Sequence, residues 1–266
     1  MQVSIQGIGM LAPGLEGWND SRPILEGAMR FKTGPNPDPD AALLPPNERR
    51  RSSESVRWAV QVAHEAIEQS GLQPRNVATV FASSDGEYAV LDRLCCALAT
   101  PERVMSPTLF HQSVHNTPAG YWGIATTCQQ SSTALSCYDD SFAMGLLEAG
   151  AYVCAEQCPV LLVAVDLTPP FSLYEARPIP SGFAMALVLT PPASRHLGNC
   201  HLRLDGSHDT PVTNMSDGTL ERIRSSNPAA RSLPVLVALA GEAERRISLD
   251  LLGDQRLLVD VVPCRH

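Results

Sequence analysis

The sequence predicts an α/β fold, a mixed and mostly parallel sheet covered by helices. Three observations point there. Strand-patterned and helix-patterned segments alternate through the first part of the chain, which implies parallel pairing with helices over the sheet. Residues 160–165 and 183–189 are near-continuously apolar, as strands buried on both faces are. Residues 131–137 read as a buried strand of small residues, 138–140 as a sharp turn and 141–150 as a helix, the arrangement on which many α/β enzymes mount a nucleophile. The residue at the tip of that turn is Asp139.

With 266 residues and 44% hydrophobic content, the chain can bury a full core. A net charge of −8, with no basic run beyond Arg49-Arg50-Arg51, argues against a nucleic-acid partner. The acidic balance also disfavours unaided docking to an acidic carrier protein. Met1-Gln2-Val3-Ser4-Ile5 has neither a basic nor an apolar leader segment. The longest apolar runs are strand-length and too short to cross a bilayer, so a cytoplasmic protein without membrane insertion is expected. In that setting the eight cysteines read as free thiols. Cys154 and Cys158 lack further ligands at metal-binding spacing, so neither a metal nor a cofactor is called for.

Taken in order, residues 2–10 alternate and turn at Pro13-Gly14, a first strand. Residues 18–28 read as a short helix with Asn19 or Asp20 as cap, and 32–47 as a surface loop rich in Pro, Gly and Asn. Residues 52–71 form the clearest helix: Ser52 or Ser53 caps it, Val56, Val60, Ala63 and Ile67 make one stripe, and Gly71 stops it. A strand over 77–83 leads through Ser83-Ser84-Asp85-Gly86 into a helix over 87–98. After the central strand–turn–helix come strands over 159–166 and 182–190, joined by a proline-rich loop. A strand over 201–205, a polar loop over 210–226, a helix from Leu233 to Ala240 and a hairpin over 246–262 close the chain.

The order of these pieces resembles the amino-terminal half of the β-ketoacyl synthases, condensing enzymes of the thiolase-like fold. The resemblance is carried by Gly7-Ile8-Gly9, Arg49-Arg50 before the long helix, Ser83-Ser84-Asp85-Gly86, Ser106-Pro107 with Phe110, and Asn116 with Ala119-Gly120. It covers roughly residues 3–190. It implies one ketosynthase-like domain over 1–266, with a family-like core over 1–192 and a short tail, 193–266, replacing the second half.

In that family the turn carries a cysteine at a helix amino terminus, where the helix dipole lowers its pKa. A gapless register from Asn116, Ala119 and Gly120 puts Asp139 at that position and Cys137 two residues early, inside the strand. A carboxylate cannot serve as the acyl carrier, and its expected role is to cap the helix. The two histidines that active condensing enzymes take from their second half have no counterpart motif. The histidines here (His64, His111, His115, His196, His201, His208 and His266) fit none. The resemblance therefore implies a pseudoenzyme: a chain-length-factor-like subunit of the aryl polyene type, made for a heterodimer with an active β-ketoacyl synthase and meeting acyl carrier protein through that complex.

The same resemblance implies that the strand before the turn pairs across the dimer axis. Phe110, His111, Val114, His115, Asn116, Tyr121, Trp122, Thr133, Leu135 and Cys137 would then face the partner or its acyl tunnel. For Tyr121 and Trp122, helix packing competes with that role. His111 and His115 share a helix face if the helix extends over both. Two other readings stay open: a residual thioesterase or hydrolase using His111 or His115 with Cys137 or a serine, and a homodimeric module that binds acyl carriers.

Overall fold

In a computed structural model of the chain, residues 1–192, 197–205 and 210–263 are described. Among these residues nine strands form one sheet: β1 Gln2–Ala12, β2 Leu15–Glu16, β3 Ala78–Ala82, β4 Ser132–Leu135, β5 Val160–Asp166, β6 Phe183–Thr190, β7 Gly198–Asp205, β8 Arg245–Leu251 and β9 Gln255–Pro263. The order across the sheet is β4-β3-β5-β6-β1-β7-β9-β8, with β2 pairing β1. β3 runs parallel to both β4 and β5. β6 lies antiparallel between β5 and β1, so β1, β3, β4 and β5 share one direction. The carboxy-terminal strands extend the sheet in antiparallel pairs from β1. The mixed sheet covered by helices is as expected from the sequence.

The helices are α1 Trp18–Leu25, α2 Pro46–Arg51, α3 Glu54–Ser70, α4 Tyr88–Leu98, α5 Pro107–Gln112, α6 Thr117–Thr126, α7 Ser141–Glu156, α8 Phe171–Tyr174, α9 Gly218–Ser226 and α10 Leu233–Ala240. Every residue of β5 and β6 is buried, because layers lie on both faces. Leu161, Val163 and Val165 pack with Val62 and Ala66 of α3 and Trp122 of α6. Val160, Leu162 and Ala164 turn the other way, toward Leu146 and Ala149 of α7 and the apolar α10. That two-sided burial is why these strands read as continuous apolar runs.

The long helix begins and ends as its sequence dictates. Ser53 accepts from the Val56 N–H as N-cap, and Gly71 takes the left-handed conformation, φ 70°, beyond the last turn. Gly7 and Gly9 lie inside β1. There α3 presses on the strand so closely that a Cβ at Gly7 would run into the Ala66 carbonyl, and one at Gly9 into the Val62 carbonyl. Beyond Ile5, β1 has no β7 partner, and side chains of α3 take over: the Ile8 N–H donates to Gln69 Oε1 at 2.7 Å and the Met10 N–H to Glu65 Oε2 at 3.0 Å.

Four expectations need correction. Residues 131–137 are not a buried strand: β4 stops at Leu135, lies at the sheet edge and is half exposed. Small residues suit either position, and only the neighbours distinguish them. Cys137 consequently lies beyond the strand rather than in it. Residues 210–226 are not all loop, since α9 occupies 218–226 with Asp217 capping it at the Thr219 and Leu220 N–H groups. Neither Asn19 nor Asp20 caps α1, which starts after Gly17 without a side-chain cap.

Replacing Gly9 by Ala forces α3 off β1, and overpacking of that kind costs roughly 3 kcal/mol. Urea unfolding of the G9A protein is expected to show a lowered midpoint, with the m-value little changed.

Candidate functional site

The strand–turn–helix tip lies at the end of β4, where Tyr138–Asp140 makes a single 3₁₀ turn before α7. Tyr138 sits in the left-handed region at φ 52°, a conformation that costs a non-glycine residue about 1 kcal/mol. Its ring lies under the Arg177 guanidinium, 3.9 Å from ring centroid to Cζ, a cation–π contact that offsets part of that cost. The turn is closed by Ser141, whose hydroxyl donates to the Tyr138 carbonyl at 2.7 Å and accepts from the Cys137 N–H at 2.9 Å.

Asp139 does not cap the helix, which corrects the expected role. Its Oδ1 lies 2.7 Å from Arg177 Nη2, and its Oδ2 accepts from Arg231 Nη2 at 2.9 Å. Asp140 also makes no side-chain cap; Arg231 Nη1 reaches it at 3.2 Å. From these contacts an ion-pair chain runs outward in both directions. Arg177 Nε donates to the buried Asp85 at 3.2 Å. On the other side, Arg231 approaches Asp250 at 3.7 Å, and Arg256 binds Asp250 at 3.0 Å. The chain thus links the segment after β3, the segment between β5 and β6, the tip, and β8 and β9. Burial works against the charge on Arg177, yet the hydrogen bond to Asp139 and the charges of Asp85 and Asp139 hold the guanidinium above its ordinary range. Burial raises the Asp140 carboxyl, although Arg231 opposes the shift.

Behind the tip stands Asp166, the last residue of β5, with 2% of its surface exposed. Its Oδ1 accepts from the Ser84 N–H and hydroxyl, both at 2.8 Å, and from the Ser83 hydroxyl at 3.2 Å. Its Oδ2 is buried without a hydrogen-bond partner. Burial pushes the carboxyl up to about 7, helped by the neighbouring Asp85 and resisted by the serine donors. Asn227, also buried, donates to the backbone carbonyls of Asp166 at 3.0 Å and Ser181 at 2.9 Å. That anchor fixes the segment that brings Arg231 to the tip.

Ser83 and Ser84 therefore spend their hydroxyls on Asp166, and His115, which lines a small pocket with Ser83, bonds the Leu135 carbonyl instead. The Cys137 thiol is raised first by burial and then by the Asp140 charge, the reverse of what a thiolate nucleophile needs.

The structure places the other candidate residues as follows. Phe110 is 62% exposed, and His111, Val114 and Asn116 are exposed beside it. Thr133, Leu135 and Cys137 are half-buried along the edge strand and its exit. Tyr121 and Trp122 are buried within the chain's own core, where Gln112 donates to the Tyr121 hydroxyl at 3.1 Å. His111 and His115 do not share a helix face, because α5 ends at Gln112 and α6 starts only at Thr117. His115 instead bonds the Leu135 carbonyl through Nε2 at 3.0 Å, bracing the edge strand. His196, His208 and His266 lie outside the described residues. Among the described residues no group of three His, Cys, Asp or Glu side chains is placed to hold a metal. No helix among them is long and apolar enough to cross a membrane.

Sequence reasoning missed Arg177, Arg231, Asp166 and Asn227. The available signals were weak: a lone arginine in a proline-rich loop, and another just before the apolar residues of α10.

An α/β layer with a sharp strand–turn–helix tip on an edge strand is the scaffold of the condensing enzymes, here with an ion-paired aspartate at the tip. The sequence profile of the β-ketoacyl synthase N-terminal domain matches residues 26–248, and the chain belongs to that family. No curated protein matches it. Among solved structures, it is similar to a chain from a ketosynthase (ApeO) in complex with its chain length factor (ApeC) from Xenorhabdus doucetiae. The TM-score there is 0.73 at 22% identity, over 98% of this chain and 99% of that one. A chain of AntDE:AntF, a type II polyketide synthase carrier protein in complex with its ketosynthase, gives a TM-score of 0.78 at 13% identity, over 99% of both. The ishigamide ketosynthase/chain length factor gives 0.74 at 11% identity, with both chains fully covered. At these identities the likeness establishes the ketosynthase fold.

The tip and Asp166 set two kinds of expectation, the first about the ion pairs. Arg177→Met strands the buried Asp85 and is expected to cost roughly 3 kcal/mol in chemical denaturation. Asp139→Asn leaves Arg177 on Asp85 and Arg231 on Asp140 and Asp250, so it is expected to cost about 1 kcal/mol or less. The second concerns pH. The Asp166 carboxyl is raised in the fold, so the folded state holds a proton that the unfolded state releases. Its contribution to stability is present below 3.8 and is lost as pH rises toward about 7. Denaturation midpoints measured across that window are expected to fall with pH less steeply in Asp166→Asn than in the parent protein.

Proposed function

We propose that this chain is a non-catalytic, chain-length-factor-like subunit that pairs with an active β-ketoacyl synthase, stabilises it and shapes the tunnel for its growing chain. The observation that carries this reading is Asp139, held between Arg177 and Arg231 where a condensing enzyme needs a free thiolate. Cys137 offers no substitute, since its thiol is raised rather than lowered. In this reading the carboxy-terminal elements β7–β9, α9 and α10 take the place of a second half, and Arg231 locks the tip from that side. The complexes among the structural neighbours, of ketosynthase with chain length factor or carrier protein, support a partner of this class.

The partner surface is the edge strand and its surroundings. β4 has an unpaired edge, and such edges are managed by covering them. The segments before it carry the exposed apolar side chains Phe110, Val114 and Ile124, and the turn after it carries Tyr138, 61% exposed. On this reading Thr133, Leu135 and Cys137 meet the partner's matching strand, and Phe110, His111, Val114, His115 and Asn116 flank it. The chain's net charge of −8 makes direct capture of an acidic carrier protein unfavourable, so the carrier is met through the synthase. Type II polyketide assembly of the aryl polyene kind is the pathway class that fits.

Co-expression with a β-ketoacyl synthase encoded beside it is the test. The two are expected to co-purify with equal stoichiometry, and Phe110→Asp or Val114→Asp is expected to weaken the pair. A stable monomer that purifies away from every such synthase would overturn the proposal. Asp139→Cys, assayed in the isolated chain, is expected to form no carbon–carbon bond. No described histidine hydrogen-bonds at the tip to run the decarboxylation.

A further inference from the structure

Away from the tip, a second concavity opens among α1, the segment after it, the 213–217 segment, α10 and β8. Its volume is about 370 Å³, within the range of roughly 300–1,000 Å³ typical of small-molecule sites. Ile24, Phe31, Leu220, Val237 and Ile247 supply its apolar lining, beside the polar Thr213, Asn214 and Ser216. Four charged side chains stand at its rim: Glu26, Arg30, Asp217 and Arg245.

The two acids at the rim are already occupied. Glu26 is bound by Arg22 at 2.6 Å. Asp217 accepts from the Thr219 and Leu220 N–H groups at 2.8 and 3.0 Å as the cap of α9, and those donors hold its carboxyl below the ordinary range. The two cations are not occupied. Arg30 and Arg245 are exposed, and neither makes a hydrogen bond or an ion pair among the described residues; Arg30 reaches Asp217 only through its field. A guanidinium presents a planar fork that matches a carboxylate. The groove thus offers an apolar lining with unspent positive charge at its mouth.

We infer that this groove binds an amphiphilic anion, an unbranched fatty carboxylate whose tail lies on the apolar lining and whose head is held by Arg30 and Arg245. The site is independent of the tip and of the edge strand, so it stands or falls separately from the proposed partner role. Burial of the tail supplies most of the binding, and the two arginines select the charged head.

The experiment is calorimetric titration of the full chain with decanoate, with decan-1-ol and hexanoate as comparators. Saturable binding of about one decanoate per chain is expected, with both comparators at least about tenfold weaker. The double substitution R30Q/R245Q is expected to weaken decanoate by about tenfold or more while leaving the thermal unfolding midpoint unchanged. Phe171→Ala, at a side chain 98% exposed away from the groove, is expected to leave the affinity unchanged. The inference is overturned if decanoate shows no saturable binding, if decan-1-ol binds as tightly, or if R30Q/R245Q retains full affinity. A loss of affinity in Phe171→Ala would overturn it as well, by assigning the binding to the exposed apolar surface.

Discussion

Two guanidinium groups hold one carboxylate at the tip of the strand–turn–helix, and the functional reading depends on that contact. Arg177 and Arg231 approach Asp139 from opposite parts of the chain, one from between β5 and β6 and the other from just before α10. Each arginine also binds a second acid, Asp85 or Asp140. An arginine pair of this kind at a helix amino terminus would stabilise a thiolate. Around a carboxylate it makes a closed ion-pair chain with no nucleophile to spare. The scaffold for activating a group is present, and its electrostatics are spent on structure.

The same contact explains how the carboxy-terminal elements attach. β7 extends the sheet from β1, and β9 and β8 follow it in antiparallel register. That alone would leave the segment before α10 unanchored. Asn227, bonded to the carbonyls of Asp166 and Ser181, and Arg231, bonded to the tip, fasten it across the ends of the core strands. The buried Asp166 then sits where three segments meet. Its uncompensated oxygen and raised carboxyl make this junction sensitive to pH.

The sheet is asymmetric at its two edges. β8 closes the carboxy-terminal edge: Arg246 at its start binds Asp260 of β9 at 2.5 Å, and further along the Ser248 backbone is hydrogen-bonded to Thr213. β4 closes the other with small residues and, among the described residues, no partner strand on its outer side. A charged edge discourages strand addition, whereas a short, uncharged one invites it.

Much of this was legible in the residues. Apolar runs located β5 and β6, the stripe and its serine and glycine ends located α3, and the order of motifs put Asp139 at the tip. These are local signals: periodicity, capping and turn chemistry act over a few residues and are written in them. The edge position of β4 was not legible, because small residues serve equally in a core strand and at an edge. Nor was the partner of Asp139. A carboxylate at a helix start reads as a cap until two arginines, some forty and ninety residues further along, are brought to it. The sequence alone determined the fold class, the long helix and the aspartate at the tip. Only the tertiary structure decided which charges met, since an ion pair depends on distances in space that sequence spacing does not encode.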